Sequence, residues 1–113
     1  MLIYKISDSG SWAEATALGS FDGSADDKRD GFIHLSTAAQ MRETAAKHFA
    51  GRAGLLVVAI EADRLGAALK WEPSRGGALF PHFYGALPLS AVVWSRPLPL
   101  DASGRHIMPG EVI

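Results

Sequence analysis

Leu55-Leu56-Val57-Val58-Ala59-Ile60 is the stretch that decides the architecture. Six apolar residues in a row, three of them β-branched, are too few for a buried helix. They also lack the polar alternation of a half-exposed strand. The run therefore predicts a strand covered on both faces, in the middle of a sheet. Upstream, residues 2–6 read as a first strand with Lys5 inside it. Ser11-x-x-Glu14 matches a capping box and predicts a helix that turns Trp12, Ala15 and Leu18 to one side and stops at Gly19. Asp22-Gly23 and residues 26–31 read as turn and loop. Residues 32–35 form a second short strand. Ser36 or Thr37 then caps a second helix, with Thr37-x-x-Gln40 as its capping box. That helix buries Ala38, Met41, Ala45 and Phe49, sets Glu43 against Lys47 on its outer side, and ends at Gly51 and Gly54.

Downstream, residues 63–66 read as one helical turn and residues 69–72 as a short strand closed by Pro73. Residues 74–85 read as a long loop rich in glycine, proline and aromatic side chains. Residues 91–94 form another strand, extending toward Arg96. From about residue 99 onward Pro99, Gly104, Pro109 and Gly110 leave an irregular tail. Two early helices followed mostly by strands predict an α+β domain spanning residues 1–113, with its core at about 2–98 and a largely antiparallel sheet.

Composition narrows the function classes. Apolar residues make up 48% and charged residues 20%, the balance of a globular chain rather than a disordered one. The net charge of -1 shows no basic excess, which argues against long nucleic acid as a partner. There is no cysteine, so disulfides, thiolate nucleophiles and cysteine-bound zinc are excluded. Four histidines without HxH or HExxH spacing define no ligand set, and no metal is expected. The start, MLIYKIS, is strand-like and has no basic region ahead of an apolar one, so no secretory leader is expected. The longest apolar run is far too short for a bilayer, and a cytoplasmic location is the default expectation.

Two segments carry candidate chemistry. In Asp30-Gly31-Phe32-Ile33-His34-Leu35-Ser36-Thr37, strand alternation puts Phe32 and His34 on one face and Ile33 and Leu35 on the other. His34 lies just ahead of a helix N-terminus, where free N–H groups favour anions. It reads either as a contact to phosphate or a ribose hydroxyl that can move a proton, or as a half-buried histidine bonded to backbone. The second segment runs from Trp71 to Gly85. Arg75 can hold a phosphate or carboxylate through two N–H groups, or serve as a surface ion-pair partner, and Gly76-Gly77 lets a ligand approach the backbone. His82 can bond the ligand or act as acid or base. Trp71 and Tyr84 can stack on a flat ring, or serve as core. Glu72 can orient a ribose or act as a base, or form a surface ion pair. His48 reads as structural, and His106 falls in the irregular tail.

YKI at residues 4–6, DGFIHLST at 30–37 and WEPSRGGALFPHFYG at 71–85 together resemble the bacterial domain-of-unknown-function 952 family, from about Leu2 to about Leu98. The resemblance implies an ADP-ribosyltransferase-like fold, with a cleft between two halves of a split antiparallel sheet and room for NAD or a similar nucleotide. The His-Leu-Ser stretch at residues 34–36 is similar to one in RNA 2′-phosphotransferases of the same superfamily, which implies His34 and Ser36 as ribose or phosphate contacts. Tyr4 or Lys5 falls on the strand where such enzymes contact the nucleotide. One departure is clear. Residues 91–96, Ala-Val-Val-Trp-Ser-Arg, hold no counterpart of the late-strand glutamate of many ADP-ribosyltransferases, and Glu72 is the acid nearest that region.

The resulting expectation is an enzyme of the ADP-ribosyltransferase or RNA 2′-phosphotransferase type acting on NAD or a phosphorylated nucleotide. His34 and His82 would do the chemistry. Tyr4, Lys5, Ser36, Trp71, Glu72, Arg75 and Tyr84 would hold the ligand. The alternative is a non-catalytic module that takes a small anionic ligand or a protein partner in the same cleft.

Overall fold

The computed structural model describes residues 1–112; Ile113 and the side chain of Arg75 lie outside the described residues. The chain runs β1 (Leu2–Asp8), α1 (Ser9–Leu18), β2 (Ser20–Phe21), α2 (Ala25–Asp30), β3 (Ile33–His34), α3 (Met41–His48), β4 (Leu55–Glu61), β5 (Leu69–Pro73), β6 (Leu79–Phe83), β7 (Leu87–Pro88) and β8 (Val92–Leu98), with short 3-10 turns between. This is an α+β fold with open, antiparallel sheets. Their orders are β1-β4-β8, β3-β6-β5 and the small pair β2-β7. Among the described residues, no helix is long and apolar enough to cross a membrane.

β4 lies in the middle of its sheet, as its unbroken apolar run predicts, and Val57, Val58, Ala59 and Ile60 are each 0% exposed. Side-chain alternation assigns its residues to two cores. Val58 and Ile60, with Ile3 of β1, pack against Trp12 and Ala15 of α1 and against Phe21, Ile33, Leu35, Phe83 and Leu87. Val57 and Ala59, with Tyr4 and Ile6 of β1, pack against Met41 and Ala45 of α3 and against Leu98, Met108 and Val112.

Several local expectations are corrected. α1 starts two residues before Ser11, because Asp8 is its cap and accepts both the N–H and the hydroxyl of Ser11 at 2.8 Å. Leu18 is exposed rather than buried. Ala38 lies exposed in the 3-10 turn that leads into α3, where Gln40 accepts the Thr37 N–H at 3.0 Å. The loop expected at residues 26–31 is mostly helix α2, so three α-helices rather than two precede β4. α2 ends at Gly31, whose φ of 85° turns the chain into β3. The loop expected at residues 74–85 contains strand β6. The irregular tail folds back. Leu100 bridges His106, and Met108 and Val112 complete the second core.

The tail's contribution is measurable by urea unfolding. Met108→Ala is expected to cost about 2–4 kcal/mol by opening a cavity in the second core. Ile107→Ala, at an exposed neighbouring side chain, should stay within about 0.5 kcal/mol. Equal effects at the two positions would remove the tail from the core.

Candidate functional site

The site begins with a proline. β3 pairs with β6 through Ile33↔Phe83 and His34↔His82. At the next step Leu35 donates its N–H to the Pro81 carbonyl at 3.1 Å, but Pro81 has no N–H to return. The ladder stops there, and the chain crosses to β1. Tyr4 N–H donates to Ser36 O at 2.8 Å and Ser36 N–H to Tyr4 O at 2.9 Å. Going back from Ser36 to His34, the chain leaves β1 and joins β6, so the sheets part at this point. Backbone groups alternate sides along a strand. Since those of Tyr4 point outward to Ser36, those of Ile6 point outward from the same edge, toward the position β3 has vacated.

The parting is held by charge. Lys5 points between the sheets, and its ammonium reaches Asp27 Oδ1 at 2.9 Å, Asp27 Oδ2 at 2.8 Å and the His34 carbonyl at 3.2 Å. Lys5 and Asp27 are 5% and 1% exposed at the side chain. Asp27 Oδ1 also accepts the His34 N–H at 3.0 Å and contacts His34 Nδ1 at 2.7 Å, while Oδ2 accepts the Ser24 N–H at 2.8 Å. Burial opposes ionisation of Asp27. The bond from His34, the charge and bond of Lys5 and the Ser24 N–H outweigh it and hold the carboxyl far below its ordinary range. Burial also pulls the Lys5 ammonium below its ordinary value, against the opposing pull of Asp27.

Above this pair lies a cleft of about 260 Å³. Tyr4, Lys5 and Ile6 form one wall, and His34, Ser36 and His82 another. α2 contributes Asp26, Asp27, Arg29 and Asp30, and α3 contributes Thr44 and His48. The two histidines are directly opposite across β3 and β6, with ring centroids 5.8 Å apart. Phe32 stacks on His82 at 4.1 Å and 23°. Each histidine has its Nδ1 on a carboxylate: His34 on Asp27 and His82 on Glu72 Oε1 at 2.9 Å. His34 Nε2 meets Asp30 Oδ2 at 2.9 Å. A ring with both nitrogens on carboxylates makes two donor bonds only as the imidazolium, and one as the neutral form.

The sequence candidates are thus partly brought together. His34, His82, Tyr4, Lys5 and Ser36 line the cleft. Ser36 Oγ lies 3.0 Å from Thr44 Oγ1. The Lys5 ammonium is occupied by Asp27 and the His34 carbonyl. Glu72 lies behind His82, bonded to it and to the Tyr84 hydroxyl at 2.7 Å. Those two bonds hold the Glu72 carboxyl below its ordinary range, and the bond to Glu72 raises the Tyr84 hydroxyl above its own. Tyr84 packs on Phe32 at 5.3 Å. Trp71, opposite Pro81, alternates away from the Glu72 face and is 39% exposed. The backbone of Arg75 follows Ser74, which lines the cleft. Sequence reading passed over Asp27, Asp30 and Phe32. Among the described residues, no three His, Asp or Glu side chains form a group suited to a metal ion.

A family model described as "Protein of unknown function (DUF952)" matches residues 6–95. Among solved structures, the X-ray structure of protein CC0527 from Caulobacter crescentus is similar, with 51% identity and a TM-score of 0.95, covering 99% of this chain and 98% of that one. The solution NMR structure of CC0527 has 55% identity and a TM-score of 0.83, covering 92% of this chain and 90% of that one. No curated protein matches the chain.

The buried pair dictates an acid response. A carboxyl held below its ordinary 3.8 stabilises the fold fully above that value, and the contribution is lost as pH falls through the folded value. Asp27→Asn is expected to cost about 3 kcal/mol near neutral pH, because it leaves Lys5 buried without a counter-charge. The gap between wild type and variant should shrink as the pH drops below 3.8. Urea midpoints across that range decide it. A gap independent of pH would remove Asp27 as the acid-labile group.

Proposed function

We propose, from the premise that the chain belongs to the DUF952 family of unknown function, that the cleft binds the ribose portion of NAD or of a phosphorylated nucleotide. The parted sheets are read as an ADP-ribosyltransferase-like arrangement, and the activity as group transfer of the ADP-ribosyltransferase or RNA 2′-phosphotransferase type. Fold likeness alone licenses no activity, so the reading rests on the site.

The observation that carries it is the juxtaposition at the parting of the sheets. His34 and His82 face one cleft, each tied through Nδ1 to a carboxylate, across from Ile6, whose N–H and C=O strand alternation turns to the same edge as those of Tyr4. Two imidazoles at 5.8 Å span the distance over which a ribose hydroxyl is held and a proton is moved. The paired donor and acceptor of a strand edge complement a primary carboxamide, which favours NAD. At about 260 Å³ the cleft takes a ribose and its substituent rather than a whole dinucleotide, leaving phosphates at the rim near Ser74. His34 and Ser36 would contact ribose or phosphate oxygens, and His82 would bond the ligand or move its proton. Tyr84 and Trp71 do not line the cleft. Stacking would fall to Phe49 and Phe80, which do.

One observation favours the non-catalytic reading. Among the described residues, the acids lining the cleft are Asp26, Asp27 and Asp30, of which Asp27 and Asp30 are bonded to His34, and no glutamate lines it. Asp30 occupies the position on His34 Nε2 that a ligand oxygen would take.

Ligand-observed NMR with NAD, ADP-ribose and a 2′-phosphorylated nucleotide tests the proposal. Binding by at least one is expected, weakened roughly tenfold in His82→Ala by loss of a hydrogen bond in a desolvated site. New product signals after a day of incubation would mark an enzyme, and binding without them the module. No binding by any of the three would sink the nucleotide reading. In the same assay Asp30→Ala should tighten binding of the phosphorylated ligands by roughly three- to tenfold, since it frees His34 Nε2 and removes a repelling charge. Weaker binding would instead make Asp30 part of the ligand's own contacts.

A further inference from the structure

Glu72 and His82 lie on the same face of the β3-β6-β5 sheet. Register pairs Glu72 with Phe80 and Lys70 with His82, so Glu72 sits diagonal to His82. One oxygen, Glu72 Oε1, receives both the Tyr84 hydroxyl at 2.7 Å and His82 Nδ1 at 2.9 Å. An ionised carboxylate only accepts, so each of these contacts is a donation toward it. A neutral imidazole has one N–H. If that proton sits on Nδ1, Nε2 carries a lone pair. The His82 side chain is 7% exposed and lines the cleft, and its Nε2 has no partner among the described residues. Phe32 stacked on the ring at 4.1 Å fixes its plane. A nearly buried acceptor without a partner, in the wall of a cleft, is a site for a donor.

We propose that Glu72 is a positioning residue that holds His82 as the Nδ1–H tautomer, so that Nε2 accepts a hydrogen bond from a ligand hydroxyl or amide N–H rather than meeting an anionic oxygen. The donor assignment deepens the nucleotide reading, where the donor is a ribose hydroxyl. The tautomer itself is independent of any ligand. It also explains why Glu72 does not line the cleft: its contribution reaches the ligand through the imidazole. Tyr84 supports Glu72 from the other side and is secondary to it.

Long-range proton–nitrogen correlation spectra of the labelled, ligand-free chain test this at about pH 8, above the ordinary histidine range. The Nδ1–H form of His82 should exceed the Nε2–H form by about tenfold or more, the bias that a charge-assisted hydrogen bond supplies. Glu72→Ala, at a partly exposed position, should erase the bias, whereas Tyr84→Phe should keep most of it. A wild-type His82 in the Nε2–H form, or a ratio unchanged in Glu72→Ala, overturns the positioning role whether or not any nucleotide binds. ADP-ribose should then move the Nε2 resonance while inorganic phosphate does not. ADP-ribose shifts elsewhere in the cleft with Nε2 unmoved, or an equal response to phosphate, overturn the donor assignment. If ADP-ribose moves no resonance in the chain, the nucleotide reading falls and the tautomer still decides the role of Glu72.

Discussion

A lysine and an aspartate, both buried between diverging sheets, form the interaction on which the rest of the site depends. Lys5 comes from a strand that is otherwise core, and Asp27 is the one buried residue of α2. Taking both charges out of water costs several kcal/mol each, and their attraction offsets this only when the remaining donors and acceptors are satisfied. Here they are: the ammonium uses Asp27 and a carbonyl, and the carboxylate collects two backbone N–H groups and an imidazole. A pair of well-packed apolar side chains could match that stability. It could not orient His34, fix the start of α2 and mark the line along which the sheets separate.

The separation itself is a backbone matter. β6 is the middle strand of its sheet and carries Pro81, at a position where proline is ordinarily excluded. It is tolerated because its missing donor faces the place where β3 departs. Proline therefore acts here as a terminator for a neighbouring strand. One missing N–H ends the β3-β6 ladder after Leu35, releases Ser36 toward β1, and leaves Ile6 lining the cleft. The cleft follows from where hydrogen bonds run out, and the side chains that line it follow from strand alternation.

The same physics explains what was legible in the sequence. β4 was legible because burial on both faces demands an unbroken apolar run. Glu43 and Lys47 do pair, at 2.9 Å, because i,i+4 spacing leaves little choice on a helix surface. The face assigned to His34 needed only a period of two. α2 was not legible. Its sequence, Ala-Asp-Asp-Lys-Arg-Asp, has no apolar stripe, because it docks through a carboxylate, and its capping box uses Asp27 where glutamate or glutamine is the usual mark. β6 was hidden by the glycines before it and by Pro81 within it. The tail was hidden because Met108 and Val112 fall in short apolar pairs, separated by Pro109 and Gly110, with no helix or strand period. One signal did point to the missed aspartates: a lone lysine inside an apolar strand requires a buried counter-charge, and residues 26–30 hold three candidates.

The face of the β3-β6-β5 sheet that meets the cleft carries His34, Phe80, His82 and Glu72, while the opposite face sends Ile33 and Phe83 into the first core. Two histidines opposite one another in register would be redundant if their surroundings matched, and they do not. His34 has a carboxylate on each nitrogen, so each N–H it carries is already directed at an acid of its own chain. His82 has a carboxylate on one nitrogen only, with an aromatic ring across its plane. Backing carboxylates thus divide one residue type into a donor side and, under the proposed tautomer, an acceptor side. A hydroxyl both donates and accepts, and under the proposal a wall with one ring of each kind would be its complement once Asp30 leaves His34 Nε2. A phosphate, which only accepts, could satisfy His34 once Asp30 moved aside, but it would leave His82 Nε2 facing a second lone pair. If the cleft takes a nucleotide as proposed, its histidine wall would discriminate for a sugar hydroxyl, and charge recognition would belong to the rim.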